Sequence, residues 1–498
     1  MKKTAPSLPN RAIPYSEAFK AFIPEQWASY PEDVLEPLAS SAYTPARRQA
    51  IQSRFPHDRL VIPAGGFKVR SNDCDYRYRP HSAFAHLTGL GEDFEPDAVL
   101  VIEDNHAELF FHARVPRTDP EFYSSPQYGE MWVGPRLSLD EMEQLTGLTI
   151  HNSSDLARSL AAPLHHGDSL MRIVPGVDER VESLVNALRD HKNGSPTAAD
   201  TELNVALSEM RLIKDAFEID QMDQACAATL TGFEAVIADI PEAVRRGRGE
   251  RWVEGIFGLH ARHLGNAVGY DTIAASGEHA CTLHWIRNDG NLRNGDLLLL
   301  DAGVEMNSLY TADITRTLPV SGRFSPAQRQ VYEAVLDAQK AGIEAAKPGA
   351  RFIDVHNASV RVIAEYLADW GILPVGVEET LSQDGGQFRR WMVHGTSHHL
   401  GIDVHDCASA RRKMYRAGTL QPGMIITVEP GIYFKSTDLM VPHELRGIGV
   451  RIEDDILITD DGCRVLSQAF PRNPDAVESW MAQVWLSHAG DGNPSLGQ

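Results

Sequence analysis

The chain has no continuous apolar run of 18 residues or more, so no membrane-spanning helix is expected. Cysteine is scarce. The five present, Cys74, Cys226, Cys281, Cys407 and Cys463, are odd in number, scattered, and form no CxxC pair. That pattern excludes a disulfide frame or zinc finger and fits reduced thiols in a cytoplasmic protein. Near the N-terminus, MKKTAPSLPNRAIPYSEAF has two lysines but no apolar stretch behind them, so no secretory signal is expected. Basic residues are in deficit: 47 against 68 acidic ones, for a net charge of −21. A nucleic-acid partner would require a basic face, so none is expected. Most of the acidity reads as solubility. Internal tandem repeats and low-complexity blocks are also missing.

What is there points to two domains, the natural division of 498 residues. Residues 1–45, rich in Pro and Ser, read as an extension with one short helix near Pro31–Ala39. Residues 46–195 read as an α/β domain. Its strands are expected at RLVIPAG (59–65), AVLVIE (98–103) and AELFFHA (107–113). SLDEMEQLTG (138–147) reads as a helix with a Ser cap and a Gly stop. HKNGSPTAAD (191–200) is the linker candidate. Residues 205–480 read as an α+β domain in which helices and strands run in blocks. Helical spacing covers 216–240, 251–264, 325–346 and 352–370. Strands follow in DLLLLDAG, LYTADITRTLPV, MIITVEPGIYF, GVRIEDDILIT and CRVLSQ, with a hairpin turn at Asp460-Asp461-Gly462. Residues 488–498 read as a disordered tail.

The last 200 residues hold the chemistry. Asp301 ends the run LLLL. Asp313 shares a strand face with Thr315 and Thr317. Glu429 follows IITV, and Glu453 follows Arg451 by two. HGTSHHLGIDVHD supplies His394, His398, His399 and His405. Singly, each has a plain reading: a turn aspartate, a solvated face, an Arg–Glu pair, a structural histidine. Jointly, so many acids in or beside apolar runs would be expensive to bury without partners. A pair of divalent ions satisfies them together. Four carboxylates and one imidazole form an oxygen-rich set suited to Mn²⁺, Fe²⁺, Co²⁺ or Zn²⁺. The four-residue spacing of His394 and His398 matches a metalloprotease HExxH helix, but Gly395 replaces the glutamate and disfavours a helix, so a strand or loop is expected.

These residues carry a resemblance. DAG…YxxDITRT, HGxSHxLGxDVHD, VEPGIY and GIGVRIEDD resemble the pita-bread dinuclear metallopeptidases, and most closely their Xaa-Pro aminopeptidase (aminopeptidase P) branch. The likeness spans roughly 208–468. It extends to YRYRPHSAFAHLTGL (76–90) and MWVGPRL (131–137), which look like that branch's creatinase-like N-terminal domain. The resemblance implies that Asp301 and Asp313 hold one ion, with Asp313 reaching the other. It implies that His398 and Glu429 hold the second and that Glu453 bridges both. Arg451 would orient a ligand carboxylate such as Asp301. His284, His394 and His405 would bind substrate and stabilise the tetrahedral intermediate. The implied ions are two divalent metals, Mn²⁺ first, with Co²⁺, Fe²⁺ or Zn²⁺ as alternatives. The implied assembly is a homodimer or homotetramer.

The implied reaction releases the first residue from peptides with proline second, by attack of a metal-bridging hydroxide. Glu429 would shuttle the proton, and Asp301 would also receive the substrate's free amine. A dipeptidase of the same fold, a prolidase, is the alternative, although Ser397 in HGTSHHL leans toward aminopeptidase P. A non-catalytic binding module is weaker still, because all five ligand positions are filled. Two departures bear on the pocket. Asp301 and Asp313 are 12 positions apart, one more than is usual in the family, which a longer hairpin loop or a bulge would absorb. His399 stands where an aromatic residue is common. Asp403, Asp406, Asp454 and Asp455 read as structural.

Overall fold

The computed structural model describes residues 14–31, 34–72, 74–91, 95–189 and 196–490. The chain forms two compact units, one of residues 1–67 and 95–196, the other of 68–94 and 197–498. The segment 68–94, which includes the whole of the YRYRPHSAFAHLTGL motif, therefore groups with the second unit. Among the described residues, no helix is long and apolar enough to cross a membrane.

The first unit is built on a mixed sheet of β1 (Arg59–Pro63), β2 (Val99–Glu103), β3 (His106–Phe111), β4 (Thr149–Asn152) and β5 (Met171–Ile173), in the order β4-β3-β2-β1-β5. β1 runs antiparallel to β2 and parallel to β5. β1 and β2 are Val/Ile/Leu-rich and buried on both faces, as a sheet covered by helices requires. Val61, Val99, Val101 and Ile173 meet Leu156, Val181 and Val185 from the helical layer. β2 and β3 are joined by Asp104 (φ 48°) and Asn105 (φ 64°), a two-residue hairpin loop whose left-handed backbone suits Asp and Asn. The helix Leu139–Thr146 has the expected Ser138 cap, completed as a capping box by Glu141, and stops at a left-handed Gly147. The helix expected near Pro31–Ala39 is not found over 34–38, and residues 32–33 of that stretch lie outside the described residues. Helices occur instead at Glu17–Phe22, capped by Ser16, and as a short turn at Ala39–Ala42.

In the second unit a helix pair precedes an antiparallel ladder, and the order then repeats. Helices Ala216–Arg246 and Gly249–Leu264 lead to β6 (Ile273–Ser276), β7 (Leu297–Ala302) and β8 (Ile314–Pro319), with β7 in the middle. Helices Pro326–Ala345 and Phe352–Asp369 lead to β9 (Ile425–Val428), β10 (Gly431–Tyr433), β11 (Gly449–Arg451), β12 (Asp454–Ile458) and β13 (Cys463–Val465). β12 lies between β9 and β13, and β10 pairs with β11. Phe233, Leu298, Leu300, Val331, Val335, Ile363, Trp391 and Val450 belong to the shared core.

Three boundaries differ from expectation. The helix that starts at Ala216 runs through Pro241 to Arg246. Proline at 241 deprives the Ile237 carbonyl of its helical donor, and the Trp485 indole N–H fills that place at 2.7 Å. The second half of the linker candidate is helical, because the helix Pro196–Met210 begins inside it. The final helix Pro474–Gly490 includes residues 488–490 of the expected tail, while 491–498 lie outside the described residues.

Candidate metal centre

Five acidic and histidine side chains converge from both halves of the second unit. Asp301 lies near the end of β7, and Asp313 immediately precedes β8. His398 lies in the loop before β9, Glu429 directly after β9, and Glu453 between β11 and β12. The antiparallel register sets Asp301 opposite Thr315, two residues beyond Asp313. His398 is held to β9 by paired contacts. Its N–H donates to the Thr427 hydroxyl at 3.1 Å, and its carbonyl accepts from the Thr427 N–H at 2.9 Å. Donor atoms of Asp313, His398 and Glu453 all fall within 4.8 Å of one another. The five side chains line a cavity of about 470 Å³ together with His284, His394, His405 and Arg451. Leu283, Ile286 and Val404 give it an apolar wall. The structure thus brings together the nine residues to which the resemblance gave a role in the site.

A ring of hydrogen bonds fixes these groups. Arg451, the last residue of β11 and fully buried, donates to Asp301 Oδ2, to the Thr315 hydroxyl at 3.1 Å and to the Tyr433 hydroxyl at 3.1 Å. Thr315 donates to Glu453 Oε2 at 2.7 Å, and Thr317 donates to the Arg451 carbonyl at 3.0 Å. The Asp313–Thr315–Thr317 face of β8 is therefore the one turned toward Glu453. His394 Nε2 lies 2.8 Å from the Tyr433 hydroxyl, and its Nδ1 lies 3.7 Å from Glu429. His405 sets its ring edge-on to that of His398, 4.5 Å away. His284 and His405 stand at the exposed rim.

The acids read as structural have other partners. Asp454 forms a fully buried pair with Arg316 at 2.8 Å. Asp406 takes Arg211 at 3.1 Å and Lys214 at 3.3 Å. Asp403 accepts from Ser82, and Asp455 accepts from the Asp313 N–H.

Electrostatics test whether cations fit this donor set. Burial raises the pKa of Glu453, and repulsion from Asp313, Glu429 and Asp301 raises it further. Burial likewise raises Glu429 and Asp301, with His398 and Arg451 only partly opposing it. His398 moves the other way from an ordinary buried imidazole. Burial lowers it, but Asp313 and Glu429 outweigh that and raise it. The protein groups alone thus draw positive charge into the cavity, and an oxygen-rich set with one imidazole takes hard or borderline divalent ions. The residues fit such ions.

Sequence reasoning missed Tyr270 and Tyr433. The Tyr270 hydroxyl lies 2.7 Å from Asp301 Oδ1 and 2.6 Å from Asp313 Oδ1. The only signal was position, three residues ahead of the strand that pairs with Asp301. The long Asp301–Asp313 connection folds as a hairpin tip. Glu305 bridges Thr311, and Leu309 adopts φ 72°. His399 is absent from the cavity wall. It is buried, stacked on Phe352 at 5.0 Å and set against Tyr415.

The class follows from comparison with known proteins. The model of metallopeptidase family M24 matches residues 220–460, and that of the aminopeptidase P N-terminal domain matches 44–171. Xaa-Pro aminopeptidase 1 of Streptomyces coelicolor is 51% identical over 92% of this chain and 90% of its own. The Escherichia coli Xaa-Pro aminopeptidase is 34% identical over 87% of this chain and 96% of its own. The structure of Escherichia coli aminopeptidase P with the inhibitor Pro-Leu superposes with a TM-score of 0.76 at 33% identity, covering 89% of this chain and 99% of that one. The chain belongs to the Xaa-Pro aminopeptidase, or aminopeptidase P, branch of family M24. It is a metal-dependent aminopeptidase, a hydrolase that works with divalent ions on peptides.

Proposed function

We propose that this enzyme releases the N-terminal residue from peptides whose second residue is proline. The observation that carries the reading is the convergence of four carboxylates and His398 in a cavity lined by three further histidines, in a chain half identical to an Xaa-Pro aminopeptidase. Asp301 and Asp313 would hold one ion, His398 and Glu429 the other, with Glu453 shared and Asp313 reaching both. The ions, when bound, would polarise the scissile carbonyl and acidify water. Arg451 and Tyr270 orient Asp301 from opposite oxygens. Glu429, directly after β9 and facing the cavity, takes the proton from the attacking water and returns it to the leaving proline nitrogen. Asp301 would also receive the substrate's free amine. His394, His405 and His284 offer ring nitrogens to the substrate and to the developing oxyanion. His394 is kept neutral by burial, which drives its pKa to about 3, with nearby Arg451 adding to the shift. Leu283, Ile286 and Val404 give the proline ring an apolar surface.

Manganese is the proposed ion, because oxygen donors dominate. A homodimer or homotetramer in the cytoplasm completes the proposal. The five free cysteines support the location. The Streptomyces coelicolor and Escherichia coli relatives both carry aminopeptidase names, so the dipeptidase reading is not favoured.

The test is turnover of Xaa-Pro-Yaa against Xaa-Pro after chelation and separate reconstitution with Mn²⁺, Co²⁺ and Zn²⁺. Release of the first residue should stop on chelation, return best with Mn²⁺, and favour the tripeptide. Unchanged Xaa-Pro-Yaa cleavage in the stripped enzyme would falsify the proposal.

A further inference from the structure

A second convergence of metal-ligating side chains lies in the first unit. His57 Nδ1 is 2.9 Å from Asp104 Oδ1, and His166 Nε2 is 3.7 Å from the same oxygen. One donor atom from each of the three falls within 4.8 Å of the others. His165 Nδ1 takes the other carboxylate oxygen, Oδ2, at 2.8 Å. The topology explains the meeting. His57 precedes β1, Asp104 follows β2, and His165–His166 precede β5. Since β1 is antiparallel to β2 and parallel to β5, all three loops fall at one end of the sheet.

The frame beneath them is tied. Asp58 accepts from the Leu170 N–H at 2.7 Å and from Arg172 at 2.6 Å, while the Arg59 N–H donates to the Leu170 carbonyl at 2.9 Å. The His57 and His166 rings are 3.9 Å apart. Two imidazoles beside one carboxylate form a donor set suited to a borderline divalent cation.

We propose that His57, Asp104 and His166 form a surface site for one divalent ion of the zinc class, and that His165 orients the carboxylate. Two imidazoles and one carboxylate leave the fourth tetrahedral position to water. The role that follows is a clip: the ion ties three loops at one end of the sheet and stabilises the first unit.

The test uses the full-length protein, stripped with chelator and dialysed against buffered Zn²⁺ alone, with zinc counted per chain. H57N and D104N are the primary variants, because asparagine tolerates the left-handed backbone at both positions (φ 69° and 48°). H166A is the third. Each should hold one zinc fewer than the parent at about 10 μM free Zn²⁺, and zinc should raise the parent's Tm more than theirs. H165A should keep the zinc with roughly tenfold weaker affinity. The difference in count does not depend on how many ions the catalytic centre takes, and retained Xaa-Pro-Yaa turnover shows that each variant has folded. Equal zinc in parent and variants, or uptake by the parent only at millimolar free zinc, overturns the site. Unchanged affinity in H165A overturns its orienting role.

Discussion

Tyr270 carries one hydroxyl proton and lies within hydrogen-bond distance of two carboxylates, so it can serve only one of them at a time. Tyr270→Phe leaves Asp301 and Asp313 with fewer restraints. It should lower metal affinity about 10- to 100-fold, with activity falling in step. Metal content after dialysis and kcat/KM check this, and unchanged metal retention would count against an orienting role. His399 presents the opposite case. Neither ring nitrogen has a hydrogen-bond partner among the described residues, and burial pushes its pKa down to about 3. Leaving such groups unpaired costs about 1–3 kcal/mol. His399→Phe keeps the stack on Phe352 and should raise Tm with kcat/KM unchanged, as a thermal melt and an activity assay would show. At this scale the sequence was informative where burial is costly. Acids embedded in LLLLDAG or IITVEPG stand out because each needs a compensating charge. Tyr270 and Tyr433 do not stand out, since an isolated tyrosine is ordinary until a distant carboxylate or guanidinium arrives beside it. His399 drew notice for its neighbours in sequence, yet it faces the aromatic cluster behind them.

The β7–β8 ladder depends on one close approach. A Cβ on Gly303 would fall 1.6 Å from the Ala312 carbonyl oxygen. Gly303→Ala must therefore part the strand ends that bear Asp301 and Asp313. Loss of metal binding together with a lower Tm is the expected outcome, and a variant that retains both would show that the hairpin can shift. A second anchor holds the loop that carries His398 and His405. Burial raises the Asp406 pKa, but Arg211 and Lys214 outweigh it and hold the carboxyl at about 2. The unfolded value is near 3.9, so this contribution is complete above about pH 4 and is lost as pH falls toward 2. Asp406→Asn leaves buried Lys214 without its ion pair, takes from Arg211 its nearer carboxylate, and should cost about 3–5 kcal/mol at pH 7 in urea unfolding. The gap between variant and parent should narrow below about pH 4. Elements with strong local signals, such as the helix capped by Ser138, were legible from sequence. The helix that continues past Pro241 was not, because its rescue comes from Trp485, far along the chain. Residues 196–200 misled for a related reason: Pro-Thr-Ala-Ala-Asp reads as loop chemistry, but proline is also well suited to open a helix.

For the whole molecule, metal binding and stability are linked. Ions that bind only the folded state stabilise it by about 4 kcal/mol at a thousandfold excess over Kd. Chelation should lower the Tm, and Mn²⁺ should restore it in a concentration-dependent way, as calorimetry would record. A Tm indifferent to both would argue against a centre shared by the two halves. Those halves repeat one order of elements, helix pair then ladder, without a tandem repeat in the sequence. Packing constrains only which face is apolar, so two similar layers can be written in unrelated residues.

The two halves also supply the donors in sequence. Asp301 and Asp313 are synthesised with the first ladder, while His398, Glu429 and Glu453 arrive only with the second. A chain emerging from the ribosome, or one cut between the ladders, presents two carboxylates and no enclosed centre. On that assignment, the order of the donors along the polypeptide means that peptide-cutting power cannot arise until the second ladder has closed on the first.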